Sequence, residues 1–231
     1  MITITIINGS PRKNGATGKI LQAFRKQLEE KENVEIHYID LVEYQLQNCA
    51  GCEICYKTGI CPLKDKAEEI NQFITHSQGV IIGSPNYAIN VSAFLKNYID
   101  RGHIVFEQAL KDKYMFTVVT YENYGGAIVV RMLNSMFRHA GGAIVGKFLL
   151  KLNHNSNPFE QDKVLKEINQ KADKFYYAIT QRKRKKLFDR LINYIALHIG
   201  IKTFVLRNSL RFKAVVQRWE EIKIIPQQNE K

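Results

Sequence analysis

At 231 residues the chain has room for one α/β domain of ordinary size plus an extension, with a substantial core, but not for two full domains. Its net charge of +12 is uneven: residues 180–231 carry 13 Lys or Arg against 4 Asp or Glu, leaving 21 against 18 in the first 179. No apolar run reaches membrane-spanning length, and the N-terminus opens as a strand rather than as a signal segment, so the chain reads as cytoplasmic.

Ile2, Ile4, Ile6 and Ile7 are β-branched and predict a buried first strand. Asn8-Gly9-Ser10-Pro11 breaks it, Asn14-Gly15 turns the backbone, and Ile20, Leu21, Phe24 and Leu28 follow at helical spacing. A turn so placed aims free N–H groups and the positive end of a helix at one point, where Ser10 and Thr17 add hydroxyls; a phosphate monoester suits it. The loop is neither G-x-x-x-x-G-K-[ST] nor G-x-G-x-x-G, and the plain alternative is an ordinary strand-to-helix connection.

Val34–Ile39 alternates as a second strand, residues 64–77 are helical, and Gly79–Ser84 is a short run suited to a fully buried parallel strand. Ser92 caps a helix running through Arg101, Tyr114–Thr120 is a fourth strand, and Gly125-Gly126 opens a helix ending at His139. Ala143–Leu150 supplies a fifth strand, and residues 159–179 a helix with Val164, Leu165, Ile168, Phe175 and Ile179 inward. Five β-α alternations imply a parallel sheet with helices on both faces and a ligand at the carboxyl ends of the strands. Three unusual loops converge there, after strands one, three and four. They offer Tyr87, Tyr121 and Tyr124 among Asn86, Asn90 and Asn123, as a flat heterocycle with a phosphate tail would require.

The stretches INGSPRKNGAT and GSPNYAINVSAFLKNYIDR, with the glycine pair after strand four, resemble the flavodoxin-like NAD(P)H-dependent FMN reductases, and within them the iron-sulfur flavoproteins, over about residues 1–180. The resemblance implies a doubly wound five-stranded parallel sheet in the order 2-1-3-4-5 and an FMN-binding domain over residues 1–180 with a cysteine-rich loop at 48–62; the charge and spacing of the remainder make residues 181–231 a basic helical extension. It implies that Ser10, Arg12, Asn14, Ala16 and Thr17 hold the FMN phosphate. Pro85, Asn86, Tyr87 and Asn90 would line the isoalloxazine with Thr120, Tyr121, Gly125 and Gly126. The chain departs from the family pattern at Ala16, where Asn is common, and at Ala88-Ile89, where an aromatic and a small residue are frequent.

All four cysteines fall within 13 residues: Cys49, Cys52, Cys55 and Cys61 read C-x2-C-x2-C-x5-C followed by Pro62. In an intracellular chain this points to a metal or redox centre rather than a disulfide framework. Three thiolates at steps of three wrap one corner of a cubane, and Gly59 lets Cys61 complete it. The resemblance implies one 4Fe-4S cluster; a closed zinc site on the four thiolates and metal-free cysteines stand as the other two readings.

In the tail, Arg182–Lys186 leads into two amphipathic helices separated near Gly200, with Trp219 as a candidate anchor. Packing on the domain or on a second subunit is the favoured role over a membrane surface, and no nucleic-acid motif accompanies the charge. The basic tail would also suit an acidic ferredoxin. The functional expectation is an oxidoreductase in which FMN takes electrons from NAD(P)H or ferredoxin, with no side-chain acid–base constellation; the resemblance implies a homo-oligomer whose subunits complete each other's sites. The rival is an FMN-holding electron carrier or redox-responsive binding protein without a dedicated substrate.

Overall fold

The β-branched run at the N-terminus forms an interior strand of the sheet. In the computed structural model, which describes all residues except Gly102, Gln161, Arg184 and residues 228–231, β1 (Ile2–Asn8) lies between β2 (Val34–Asp40) and β3 (Gly79–Pro85). The sheet continues through β4 (Tyr114–Tyr121) to β5 (Ala143–Lys151); every pairing is parallel and the order is 2-1-3-4-5. Strand side chains alternate between faces, so Ile4, Ile6, Ile81, Phe116 and Val118 enter one core while Ile7, Val80, Ile82, Met115 and Val119 enter the other. Helices α1 (Ala16–Glu29) and α7 (Asp162–Thr180) supply Phe24, Leu28, Ile168 and Phe175 to the first core. After the single turns α2 (Leu41–Tyr44) and α3 (Ile54–Thr58), α4 (Ala67–His76), α5 (Ala93–Arg101) and α6 (Gly126–His139) supply Ile70, Leu95, Leu133 and Phe137 to the second. Ser92 caps α5 as expected, its Oγ accepting the Leu95 N–H at 3.2 Å and donating to the Gly9 carbonyl, which ties α5 to the turn after β1.

Two expectations are corrected. Leu165 is 45% exposed, because α7 turns Val164, Ile168, Ala172 and Phe175 toward the sheet and Leu165 stands about 100° round the helix from Val164. The tail does not break at Gly200: α8 (Leu187–Tyr194) runs through a π-helical turn (Ile195–Ile201) into α9 (Lys202–Arg207), and the chain bends only at 208–212 before α10 (Lys213–Glu221). Gly200 stands in open space, where a helical glycine costs only about 1 kcal/mol. Asn208 is the real stop, its Nδ2 donating to the Phe204 carbonyl at 2.8 Å. Arg184, in the basic run, lies outside the described residues.

One side of the tail builds a third core. Leu197, Val205, Phe212, Val215 and Trp219 bury together against Tyr56 of α3 and Phe106. Trp219 is fully buried, and its Nε1–H donates to the Phe106 carbonyl at 2.8 Å.

Candidate functional site

The strand order reverses between β1 and β3, and a cleft of about 450 Å³ opens at the carboxyl ends beside this switch point. The turn after β1 contributes Arg12, Asn14, Gly15, Ala16 and Lys19; the segment ending β3 contributes Pro85, Asn86 and Tyr87; the end of β4 contributes Thr120, Tyr121 and Glu122. No side chain caps α1, so the N–H groups of its first turn, which have no intrahelical partners, remain available beside two cationic side chains. Gly18 makes this turn possible: a Cβ there would lie 1.8 Å from the Lys13 carbonyl oxygen, which lies against the helix.

The two expected hydroxyls make hydrogen bonds within the protein. Ser10 is buried, its Oγ donating to the Arg12 carbonyl and accepting the Arg12 N–H, and Thr17 is buried in a 2.7 Å hydrogen bond with Thr120 Oγ1. Neither is among the residues lining the cleft, although Thr120 is. Asn90, Gly125 and Gly126 are also not among its lining residues. Asn90 instead closes a two-residue turn with Tyr87 through reciprocal backbone bonds of 2.9 Å, and its Oδ1 accepts the Val91 N–H. The central residues of that turn, Ala88 and Ile89, have φ of 49° and 63°, a left-handed conformation that is costly for a β-branched side chain. Gly125, at φ 88°, starts α6 beneath this turn, and a Cβ there would meet Ile89 at 3.4 Å.

At Asn86 the Nδ2 donates to the Tyr124 carbonyl at 2.7 Å, which fixes the amide and leaves Oδ1 buried without a partner. A cleft-lining acceptor in this condition fits a ligand N–H. The cleft volume, the uncapped cationic helix start and this acceptor together fit a phosphorylated heterocycle.

The four cysteines line a second, smaller cavity of about 160 Å³ with Asp100, Arg101 and His103 at the other end of α5. Cys49 and Cys52 are exposed, Cys55 and Cys61 half-buried. Arg101 is 2% exposed: its Nη1 donates to Asp65 and to the Gln47 carbonyl, and its Nη2 points at Cys61 Sγ at 3.3 Å. His103 Nδ1 bonds Glu107 at 2.9 Å, while its Nε2 is buried with no aligned partner. Burial lowers the His103 pKa, but the neighbouring Cys55 thiol and the Glu107 carboxylate outweigh it and raise it to about 10. The Arg101 guanidinium faces Cys61 and the His103 ring lines the same cavity, an environment suited to thiolates. Among the described residues no group of three or more His, Cys, Asp or Glu side chains is arranged to hold a metal ion.

Residues 2–155 match the NADPH-dependent FMN reductase family. The chain belongs to that family. An iron-sulfur flavoprotein of Clostridioides difficile (strain 630) is 39% identical over 96% of this chain and 99% of its own length. Another, from Archaeoglobus fulgidus, is 36% identical over 52% of this chain and 54% of its own length. An NADH:FMN oxidoreductase structure, with a TM-score of 0.59 at 18% identity over 77% of this chain and 90% of that one, shares the fold. So does an archaeal flavodoxin, with a TM-score of 0.52 at 13% identity over 78% and 99%.

For this FMN reductase family member, sequence reasoning missed the loop after β5. Leu152, Asn153, His154, Asn155 and Ser156 line the cleft, and Asn155 Oδ1 accepts from Arg12 Nη1 across it. The signal was available, since this polar run follows a strand end as the other three loops do.

Proposed function

We propose that the chain is an FMN-dependent oxidoreductase carrying a 4Fe-4S cluster on Cys49, Cys52, Cys55 and Cys61. The observation that carries the flavin reading is the cleft at the switch point, with an uncapped cationic helix start and the unpartnered Asn86 Oδ1 among its walls. Arg12, Lys19 and the first-turn N–H groups of α1 would take the phosphate; Pro85, Tyr87 and Tyr121 would flank the ring, and Asn86 would accept a ring N–H. When bound, FMN supplies the redox chemistry, accepting hydride from NAD(P)H or single electrons from a carrier such as ferredoxin. The protein orients the ring and limits water at its edge.

Four thiols spread around one cavity, with Arg101 and His103 N–H groups beside them, favour a polynuclear cluster over a single zinc ion. The name of the Clostridioides relative supports the same choice. Calorimetric titration of flavin-free protein tests the cleft: FMN binds, riboflavin binds far more weakly because it leaves the cationic turn unmatched, and Arg12→Ala and Lys19→Ala narrow that difference. Equal binding of both flavins overturns the phosphate assignment. Rapid NAD(P)H oxidation by the loaded protein marks a reductase, whereas reduction by ferredoxin alone marks a carrier.

A further inference from the structure

Helix α8 is inside out. A helix that serves only its own fold turns its apolar stripe inward. In α8 the buried residue is Asp189, which accepts from Arg138 Nε at 2.5 Å and lies 3.4 Å from the Ile144 N–H. One turn on, Asn193 Nδ2 donates to Gln108 Oε1 and to the Arg138 carbonyl, each at 3.0 Å. Outward stand Leu187, Phe188, Leu191, Tyr194 and, from the π turn, Ile195 and Ile199, each between 44% and 78% exposed. Their spacing places them on one stripe, a contiguous apolar patch of a kind that marks an interaction surface.

Charge selects the occupant. Between Arg182 and Trp219 the sole acidic residue is Asp189, which is 1% exposed and paired with Arg138. Lys183, Lys186, Arg190, Arg207 and Lys213 are exposed on the same segment, so its exposed charge is positive throughout. A second copy meeting this face about a two-fold axis would set two such arrays against each other, and a nucleic acid would leave the apolar stripe unused. We propose that the outward face of α8 and the following π turn docks on an anionic lipid surface, with the aliphatic stripe below the headgroups, Phe188 and Tyr194 at their level, and the lysines and arginines against the phosphates. Among the described residues no helix is long and apolar enough to cross a membrane, so the contact lies in the plane of the interface.

Sedimentation of the cofactor-loaded protein with vesicles tests this. Vesicles of phosphatidylcholine plus phosphatidylglycerol carry the protein down, phosphatidylcholine alone does not, and added salt releases it. The triple variant Lys183→Gln, Lys186→Gln, Arg190→Gln weakens binding to anionic vesicles roughly a hundredfold. Leu191→Ala with Ile199→Ala weakens it at least about tenfold. These side chains point away from the fold, so the unfolding midpoint hardly moves and a binding loss is not a folding loss. No binding to anionic vesicles, or equal binding to neutral ones, overturns the proposal. So does a dimer seen by light scattering that Leu191→Glu splits in the absence of lipid, which would assign the face to a second copy.

Discussion

The cleft at the β1–β3 switch point is lined largely by residues that hang directly from strand ends, whereas the cysteine pocket hangs from a loop whose supports are a buried arginine on α5 and the aromatic core of the tail. Helix α5 joins them: Ser92 at its start bonds the turn after β1, and Arg101 at its end holds Asp65 and faces Cys61. Its nine residues span about 13 Å. The two cavities share no lining residue. A site on sheet ends inherits the rigidity of the main cores; a site on a loop needs its own clamp. Phe212 and Trp219 provide that clamp through Tyr56 and Phe106, whose rings lie 5.3 Å apart, and Arg211 pairs with Glu53 beside the cysteines. The tail therefore has two faces with separate work, one holding the cysteine loop and one turned outward.

Substitutions that damage one site and spare the other sharpen this contrast. Trp219→Ala should have the largest effect, costing about 4 kcal/mol of local stability from a fully buried indole and its hydrogen bond. Iron per chain should fall while bound FMN stays near one equivalent; equal loss of both would show that the two regions melt as one. Gly18→Ala should act in reverse, costing about 3 kcal/mol because the Lys13 carbonyl has nowhere to go. FMN retention should drop while iron content holds.

Acid should reach the cysteine side through Asp65. Burial raises the Asp65 pKa, but hydrogen bonds from Arg101 and from the Gln47 and Ala67 N–H groups outweigh it and hold it below its ordinary 3.8. A carboxylate with a depressed folded pKa contributes stability above the unfolded value and loses it as pH falls from 3.8 through the folded value. Urea unfolding between neutral pH and pH 3 should therefore show a steeper loss for wild type than for Asp65→Asn, which starts lower and stays flatter. The smallest effect is on the cleft side: Ile89→Gly should stabilise the protein by about 1 kcal/mol by removing a left-handed β-branched residue, with FMN still bound.

The sheet was legible because its signals are local. Short β-branched runs such as Ile2–Ile7 and Gly79–Ser84 bounded by Gly and Pro suit buried parallel strands, and the alternation with amphipathic helices sets the class. Three of the four loops at the cleft were legible for the same reason, lying just after those strands. What sequence could not supply was side-chain competition. Nothing local in the sequence shows that the Thr17 hydroxyl meets that of Thr120, 103 residues away. The left-handed turn at Ala88-Ile89 carries no glycine to announce it. The tail misled through Gly200, since glycine in an exposed helix breaks nothing when the neighbouring turns pack. The outward apolar stripe of α8 became visible only once Asp189 and Asn193 were placed on the inner side.

The central claim is that one chain holds two separately supported redox centres. The most direct test is the absorption spectrum of protein purified without oxygen, with FMN, iron, sulfide and zinc assayed on the same sample. The account predicts flavin bands over a broad iron–sulfur absorbance, with about four irons and four sulfides per chain. A colourless protein that refuses added FMN, or flavin accompanied by stoichiometric zinc in place of iron, would contradict it.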